Sequence, residues 1–246
     1  MKLLVCISKA PDTTSKISFT NNNTTFNESG VQFIVNPYDE WFALVRALEI
    51  KETLGGSVTI ITVGTAVDDA IIRKALAIGA DEAVRIDAQP LDALYVAKQL
   101  AAYAKGKDFD IILTGKETID YNGSQVGGML AELLDQPFIS HASKLDINAN
   151  TATLEIDIPG GSEVVEVNTP FVVSASKGMA EARIPNMRGI MAARTKPLNV
   201  VAPVDLPTHT SIKSYSLPVE KKGCKMIPAE TPEQLIELLH NEAKAI

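Results

Sequence analysis

The sequence predicts an α/β fold organised around a doubly wound, mostly parallel β-sheet, with antiparallel additions and an extended C-terminal arm. Short, almost wholly apolar segments with the length of buried strands recur in the first half of the chain: Leu3–Ile7, Ser57–Val63, Glu82–Ile86 and Phe109–Leu113. Longer amphipathic segments alternate with them: Glu40–Leu54, Val67–Ile78, Leu91–Ala104 and Ser124–Leu134. This order predicts parallel strands joined by right-handed crossovers, with helices on both faces. The near-continuous apolar character of the strands is typical of a buried parallel sheet.

Two regions interrupt the alternation. Lys16–Ile34 is rich in Asn and Thr and alternates weakly, which predicts a small hairpin between the first strand and the first helix. After Pro137 the pattern changes, and short strand-like runs follow one another: Leu145–Asn148, Thr151–Asp157, Ser162–Val167 and Phe171–Ser174. We expect these runs to be antiparallel additions to the same domain.

The C-terminal part of the chain has a different character, so we divide the chain into an α/β domain at residues 1–196 and an arm at residues 197–246. Val200–Pro218 is dotted with prolines and lacks periodicity. Thr231–Ala245 predicts a terminal helix in which Thr231 is the N-cap and a proline takes the first helical position. An extended arm of this length buries little of its own surface, so we expect it to wrap a neighbouring subunit.

Composition narrows the function classes. The 246 residues are 46% hydrophobic, enough for a substantial core, and the net charge of −7 argues against a nucleic-acid partner. The two cysteines, Cys6 and Cys224, are far apart, which predicts a reducing compartment and no disulfide framework. The first residues lack the pattern of a signal peptide, and no apolar run approaches the roughly 20 residues that span a bilayer. We therefore expect a cytoplasmic protein with no direct membrane insertion.

The most informative segment is the polar loop Gly115–Gly127, which follows the predicted strand Phe109–Leu113 and precedes a helix. Parallel sheets bind ligands at the carboxyl ends of their strands, and free N–H groups at a helix start favour a phosphate or another anion. Gly123, Gly127 and Gly128 would let the backbone approach a ligand. The loop fits neither the Walker P-loop nor the G-x-G-x-x-G fingerprint. It is therefore either a nucleotide-binding loop or an ordinary strand-to-helix turn.

A second polar connection, Asn36-Pro37-Tyr38-Asp39, precedes the first helix. Pro37 restricts the backbone there, and Asp39 is the predicted N-cap. The segment is either a capping turn or part of a ligand site. If the first and fourth strands are neighbours at the switch point of a doubly wound sheet, both polar connections line one crevice. Gly64, directly after the second strand, serves either a tight turn or the close approach of a ligand.

The segment Lys177–Arg194 carries three methionines, Met179, Met187 and Met191, together with three arginines. Methionine is flexible and polarizable and suits adaptable binding surfaces, so this segment is a candidate partner-docking surface. The alternative is that Met191 and Ile190 are core residues of a short helix capped by Asn186.

No metal site and no catalytic pair is predicted. The three histidines are isolated and lack metal-ligand spacing. Trp41 is interpreted as a packing residue. Because no acid/base pair is recognisable, we expect a binding or carrier protein rather than an enzyme.

The order and spacing of several segments match one known family: LLVCISKAPD, NPYDEWFALVRALEIKE, KALAIGADEAVRI, GKETIDYNGSQVGGMLAELL, EVVEVNTPFVVS, RIPNMRGIMAARTKP and ETPEQLIELL. On these segments the chain resembles the beta subunit of electron transfer flavoprotein over nearly its whole length. The resemblance implies a Rossmann-like, adenine-nucleotide-binding fold. It also implies a heterodimer whose alpha subunit holds the redox FAD, while the beta subunit buries a structural AMP.

The resemblance assigns the nucleotide site by position. It comprises Cys6, Asn36, Pro37, Tyr38, Asp39, Val63, Gly115, Lys116, Glu117, Thr118, Ile119, Asp120, Tyr121, Asn122, Gly123, Ser124, Gln125 and Val126. Tyr38 would also approach the alpha-bound flavin. A second family tyrosine that meets the flavin is replaced here by Thr13, which has no aromatic ring.

The resemblance also assigns two protein contacts. The apolar residue through which the family anchors on partner dehydrogenases aligns with Met187, and Ile184, Pro185 and Arg188 lie beside it. An acidic residue that pairs with an alpha-subunit arginine aligns with Asp157.

Three functional hypotheses remain. In the carrier reading, electrons pass from acyl-CoA-dehydrogenase-type flavoenzymes of fatty acid oxidation, through the alpha-bound FAD, to a quinone-linked oxidoreductase. Electron-bifurcating members instead bind a second FAD in the AMP site. Gln125-Val126-Gly127 also occurs in those members, whereas Tyr121-Asn122 replaces their usual Gly-Asp, so the comparison favours AMP and leaves the second FAD open. From another class, a universal-stress-type adenine-nucleotide sensor shares the same sheet and crevice but needs no C-terminal arm.

Overall fold

The computed structural model describes residues 1–220 and 223–246. The strands are β1 (Lys2–Cys6), β2 (Lys9–Pro11), β3 (Phe19–Thr20), β4 (Thr25–Phe26), β5 (Phe33–Val35), β6 (Ser57–Gly64), β7 (Glu82–Asp87), β8 (Ile111–Gly115), β9 (Phe138–Asn148), β10 (Thr151–Ile158), β11 (Gly161–Asn168), β12 (Phe171–Ala175) and β13 (Leu198–Val201). The helices are α1 (Asp39–Leu54), α2 (Asp69–Ile78), α3 (Ala93–Ala104), α4 (Val126–Leu134), α5 (Met187–Ala193) and α6 (Pro232–Glu237).

The centre of the molecule is a nine-stranded sheet in the order β11-β10-β9-β12-β8-β1-β6-β7-β13. All neighbouring pairs from β9 to β13 are parallel, and only β10 pairs antiparallel, with β9 and β11. The predicted α/β fold with a mostly parallel sheet is therefore confirmed. One detail was wrong. We expected Phe171–Ser174 to be an antiparallel addition, but β12 runs parallel to both of its neighbours, β8 and β9.

Successive side chains of a strand point to opposite sides of the sheet, and here the side chains on both sides are apolar. Helices therefore cover both faces. Leu3 and Val5 of β1 pack in one core with α1 and α2, whereas Leu4 and Cys6 pack in a second core with α3 and α4. The buried face of each helix is thereby matched to one face of the sheet. Trp41 is half-buried and packs against the first core, as predicted.

The segment after β1 contains two small antiparallel ladders. β3 and β4 form the predicted hairpin within Lys16–Ile34. Three consecutive residues of its turn, Asn21, Asn22 and Asn23, have left-handed φ values of 52°, 55° and 62°, a conformation that asparagine tolerates better than most residues. A second ladder, which the sequence analysis did not predict, pairs β2 with β5. It returns the chain to the sheet just before α1.

The C-terminal segment starts as part of the sheet. We expected an extended arm from residue 197, but β13 pairs in parallel with β7 and forms one edge of the sheet. In the described residues 202–220 and 223–231 the backbone has no helix or strand. α6 begins at Pro232 as predicted. Thr231 occupies the N-cap position without making the expected side-chain hydrogen bond.

A short π-helical turn, Leu238–Glu242, continues α6. In the described part of the chain, no helix has the length and apolar character needed to cross a membrane.

Candidate functional site

The two polar connections singled out in the sequence meet at one place. β1 lies between β6 and β8, so the strand order reverses between β1 and β8, as we predicted. The segment Asn36–Asp39 leads into α1, and the loop Lys116–Gln125 follows β8. Both therefore lie at the carboxyl edge of the sheet, at the switch point where ligands of doubly wound folds bind.

Asn36 joins the two connections directly. Its side chain is fully buried, its amide nitrogen donates to the Glu117 carbonyl at 2.9 Å, and its amide oxygen accepts from the Ile119 N–H at 3.0 Å. A side-chain amide can satisfy both a carbonyl and an N–H group at once. Asn36 therefore acts as a clamp that holds the start of the loop against the beginning of α1.

The backbone at Tyr38 is a tight turn with positive φ. Tyr38 has φ 65° and ψ −90°, and the Asp39 N–H donates to the Pro37 carbonyl at 3.0 Å, which is a strained three-residue γ-turn. Such strain persists only where the surroundings enforce it. Here the clamp of Asn36 on one side and α1 on the other enforce it. The turn leaves the Tyr38 side chain 56% exposed at the rim of the crevice.

Asp39 does not cap α1, contrary to our prediction. It is the first residue of the helix, Tyr38 occupies the N-cap position, and the Asp39 carboxylate accepts from the Glu117 N–H at 3.3 Å. Asp39 is therefore a second link between α1 and the loop. Partial burial raises the pKa of its carboxyl above the usual range.

Glu40 lies directly behind the crevice and was not predicted as a site residue. Its carboxylate accepts from the Ser8 N–H at 2.6 Å and from the Ser8 hydroxyl at 2.8 Å. Burial raises the pKa of the Glu40 carboxyl to about 8 even though the bonds from Ser8 oppose that shift. Gly115 makes room for it, because a Cβ at residue 115 would lie 2.6 Å from the Glu40 Cγ.

The loop after β8 ends in an open helix start. Asn122 and Ser124 have left-handed φ values of 49° and 53°. Gln125 occupies the N-cap position of α4 but makes no side-chain capping bond. The first N–H groups of a helix have no intrahelical partner, so this end of α4 presents free donors. The predicted helix Ser124–Leu134 thus begins two residues later than expected, at Val126.

The glycines of the loop have separate roles. A Cβ at Gly123 would meet nothing within 4 Å, so this position is open, as expected for a loop that faces a ligand. Gly127 instead lies inside α4, where a Cβ would approach the Thr114 hydroxyl to 2.8 Å and the Phe138 ring to 2.9 Å. It therefore serves the packing of α4 on the sheet. Gly64 is likewise explained by packing, since a Cβ there would lie 2.4 Å from the Asp68 carboxylate.

Charged and polar groups surround the loop. Lys116 forms an ion pair of 3.0 Å with Glu117, which raises the pKa of the ammonium and lowers that of the carboxyl. The Ser124 hydroxyl donates to the Lys116 carbonyl at 3.0 Å and lies 3.4 Å from the His141 Nε2. The backbone N–H of His141 donates to the Ser174 hydroxyl at 2.9 Å. Sequence reasoning treated His141 as isolated, because only the β8-β12-β9 order brings it to the loop.

The side chains of two predicted site residues, Cys6 and Val63, are almost completely buried. Cys6 is 7% exposed and Val63 8% exposed, and both pack in the second core at the ends of β1 and β6. Burial strongly raises the pKa of the Cys6 thiol. A ligand at the switch point would therefore meet the backbone of these strand ends rather than a reactive thiolate.

Comparison with known proteins places this chain in a family. The family model described as the electron transfer flavoprotein domain matches residues 23–206. The electron transfer flavoprotein subunit beta of Bacillus subtilis is 37% identical, with 100% of both chains covered. The chain belongs to the electron transfer flavoprotein beta-subunit family. The corresponding subunits of Syntrophomonas wolfei and Homo sapiens are 35% and 31% identical, covering 99% and 97% of this chain and 98% and 96% of their own.

Membership of this family has two direct consequences. The chain is a component of an electron transfer flavoprotein, and the designation of its relatives as beta subunits implies an alpha-subunit partner. The full-length match also argues against the free-standing stress-type sensor.

The candidate docking segment projects from the surface. Ile184 is 84% exposed and Met187 74% exposed, while Pro185 is half-buried and Arg188 is exposed. Asn186 caps α5 as predicted, by accepting from the Gly189 N–H at 2.8 Å. The alternative that placed Met191 and Ile190 in the core is wrong, because these residues are 60% and 40% exposed. Met179, in contrast, is buried and cannot belong to a docking surface.

Contacts on both sides hold the docking segment in place. The Arg183 guanidinium forms two hydrogen bonds to the Glu52 carboxylate, at 2.6 and 3.1 Å. Gly189 packs so closely on α2 that an added Cβ would lie 2.4 Å from the Ala77 carbonyl oxygen. The apolar side chains between these anchors are therefore presented on a fixed support.

The predicted subunit contact lies elsewhere. Asp157 is an exposed residue of β10, and the Ser143 hydroxyl lies 3.4 Å from its carboxylate. Within residues 1–220 and 223–246, no group of three or more potential metal-ligating side chains occurs.

Proposed function

We propose that this chain buries an AMP in the crevice between β1 and β8 and assembles with an alpha subunit that holds FAD. In this arrangement the alpha-bound FAD accepts electrons from acyl-CoA-dehydrogenase-type flavoenzymes and passes them to a quinone-linked oxidoreductase. The chain itself binds AMP, helps to orient the alpha-bound FAD and docks on partner enzymes. It is a carrier subunit without acid/base catalysis. We place it in the cytoplasm. The division into a domain at residues 1–196 and an arm at residues 197–246 belongs to the same proposal.

The open start of α4 is the observation that carries the AMP assignment. Free N–H donors at a helix start favour a phosphate. Lys116, Ser124 and His141, whose side chains can contact an anion, lie in or next to the loop that leads to this helix start. The crevice also carries exposed aromatic side chains on both rims, Tyr38 and Tyr121, which are 56% and 64% exposed. A nucleotide has an anionic phosphate next to a flat base, and it therefore fits a site in which N–H donors lie near exposed aromatic rings. The proposed site therefore includes the same residues that the family resemblance assigned.

Tyr38 supports a role beyond AMP. Its strained turn fixes the backbone while its ring stays 56% exposed. We propose that this ring lies against the flavin of the alpha subunit and that Asp157 pairs with an arginine of that subunit.

Nucleotide content tests the cofactor assignment. The chain is purified together with its alpha subunit, the nucleotides are released with acid, and each is quantified by chromatography. One FAD and one AMP per heterodimer is the expected result. Two FAD and no AMP would show that the crevice holds a second flavin and that the protein belongs to the electron-bifurcating branch.

Docking is tested on the apolar residues of the segment before and at the start of α5. We expect Met187→Ala to slow reduction of the heterodimer by its dehydrogenase, since the exposed side chain contributes contact area, while FAD content stays unchanged. Ile184→Ala provides a second, independent probe, because Ile184 is still more exposed. Met226→Ala is the matched control, as Met226 is 82% exposed on the arm. Reduction at the wild-type rate in both docking variants would refute the assignment.

A further inference from the structure

The C-terminal segment returns to the carboxyl edge of the sheet before it reaches α6. The buried Gln99 of α3 exchanges two hydrogen bonds with the backbone of Val204, at 2.7 and 3.0 Å. The Asp92 carboxylate, which also caps α3, accepts from the N–H groups of His209 and Thr210 at 2.9 and 3.3 Å. The segment therefore follows a defined path along this edge, from β13 towards the candidate crevice.

Tyr215 ends this path with contacts to two other parts of the chain. Its ring stacks on Phe19 of the hairpin, with 4.8 Å between ring centroids and 9° between planes. Its N–H donates to the Asn23 carbonyl at 2.7 Å. Its hydroxyl lies 3.4 Å from the hydroxyl of Tyr121, in the loop after β8. Tyr215 is half-buried, whereas the residues on both sides of it, from 207 to 214 and from 216 to 220, are exposed.

The tip of the loop depends on this contact. Asn36 holds the loop at Glu117 and Ile119, and Ser124 closes its end onto Lys116. Among the described residues, the hydrogen bond of Tyr121 to Tyr215 is the one from residues 120–123 to a distant part of the chain. A loop tip with few distant contacts opens easily, so a single added contact changes its opening equilibrium.

We propose that Tyr215 is a latch that holds the tip of the nucleotide loop closed and thereby slows release of the nucleotide. This inference rests on the proposed function, since it assumes that the crevice holds AMP. The coupling is reciprocal: what closes the loop retains the nucleotide, and a bound nucleotide favours the latched position of the arm. Tyr215 is therefore a positioning residue that acts on the ligand through Tyr121.

The test uses the full chain purified with its alpha subunit. Three variants are compared with the wild type: Tyr215→Ala removes both the stack and the hydroxyl, Tyr215→Phe removes the hydroxyl alone, and Ile212→Ala truncates an exposed residue of the same segment as a control. Hydrogen exchange of the amides of residues 116–125 is measured after AMP has been removed. Release of radiolabelled AMP is then measured after dilution into excess unlabelled AMP.

We expect Tyr215→Ala to accelerate both amide exchange in the loop and AMP release by between about threefold and about tenfold, the size expected for one aromatic contact. Tyr215→Phe should also accelerate both, because it removes the hydrogen bond to Tyr121, and Ile212→Ala should match the wild type. Exchange and release in Tyr215→Ala at the rates of the control would overturn the latch. Faster exchange with unchanged release would overturn its role in retention. If the wild type binds no AMP, the proposed function fails at this site, and hydrogen exchange alone decides whether the latch exists.

Discussion

Replacing Asn36 tests whether one side chain holds the two halves of the crevice together. The side chain is fully buried and makes two hydrogen bonds to the loop backbone, to Glu117 at 2.9 Å and to Ile119 at 3.0 Å. A typical internal hydrogen bond contributes about 1 kcal/mol net, and a buried group left without its partner costs about 1–3 kcal/mol. Because Asn36→Ala removes both bonds, we expect the free energy of unfolding to fall by about 2–4 kcal/mol.

The measurement is urea unfolding of the wild type, Asn36→Ala, Asn36→Asp and the control Asn199→Ala, followed by nucleotide content. Asn199 is an exposed residue of β13, so its replacement should change stability little. The aspartate variant can still accept from Ile119, but its carboxylate faces the Glu117 carbonyl and must bind a proton to donate to it. Its stability should therefore recover as the pH falls. A loss below about 0.5 kcal/mol in Asn36→Ala, equal to that of the control, would refute the clamp.

Three further perturbations follow from the same region and from the docking segment. Gly115→Ala should destabilise the chain by about 1–3 kcal/mol in urea unfolding, because its Cβ would lie 2.6 Å from the Glu40 Cγ. Glu40→Gln should abolish a loss of stability that the wild type shows as the pH rises from about 4.5 to about 8, since in that window the unfolded state has released a proton that the folded state keeps. Arg183→Ala should slow reduction by the dehydrogenase by at most about fivefold, the upper limit for an exposed ion pair with Glu52.

Each of these expectations has its own control. Gly123→Ala, in open space within the same loop, should be close to neutral, so equal losses at both glycines would contradict the packing argument. Parallel stability curves of the wild type and Glu40→Gln across the whole pH range would show that this carboxyl does not titrate as inferred. Glu52→Ala removes the ion pair without touching the docking surface. Its rate should therefore match that of Arg183→Ala, and a wild-type rate would refute the anchoring role.

The sequence predicted the frame of the molecule well, because that frame follows from local patterns. The buried strands β1, β6 and β8 are mostly apolar runs, β7 has an apolar centre between charged residues, and α1 to α4 are amphipathic, so their order implies the parallel sheet and its switch point. The polar segments at the carboxyl ends of β1 and β8 pointed to the crevice for the same reason.

What the sequence could not show depends on contacts between distant residues. Phe171–Ser174 has the length and composition of either kind of strand, and only insertion between β8 and β9 makes it parallel. Asp39 looks like an N-cap until the loop supplies the Glu117 N–H as another partner. Glu40 reads as an exposed residue of the first helical turn, yet the space beside Gly115 buries it. Glu40 and Gly115 lie in different segments of the sequence, so neither segment alone indicates that they meet.

The clamp at Asn36 also bears on how the protein folds. Its bonds join residues 81 and 83 positions apart, and β8 finds its second neighbour, β12, only after residue 171. Contacts of such long range form late, because their loop-closure entropy is unfavourable until most of the chain is in place. A chain synthesised only as far as β8 contains Asn36 but still lacks α4, β9 and β12, so its crevice is unfinished. Any ligand bound there would stabilise the completely folded chain alone, so occupancy of the crevice distinguishes finished molecules from partly folded ones during synthesis.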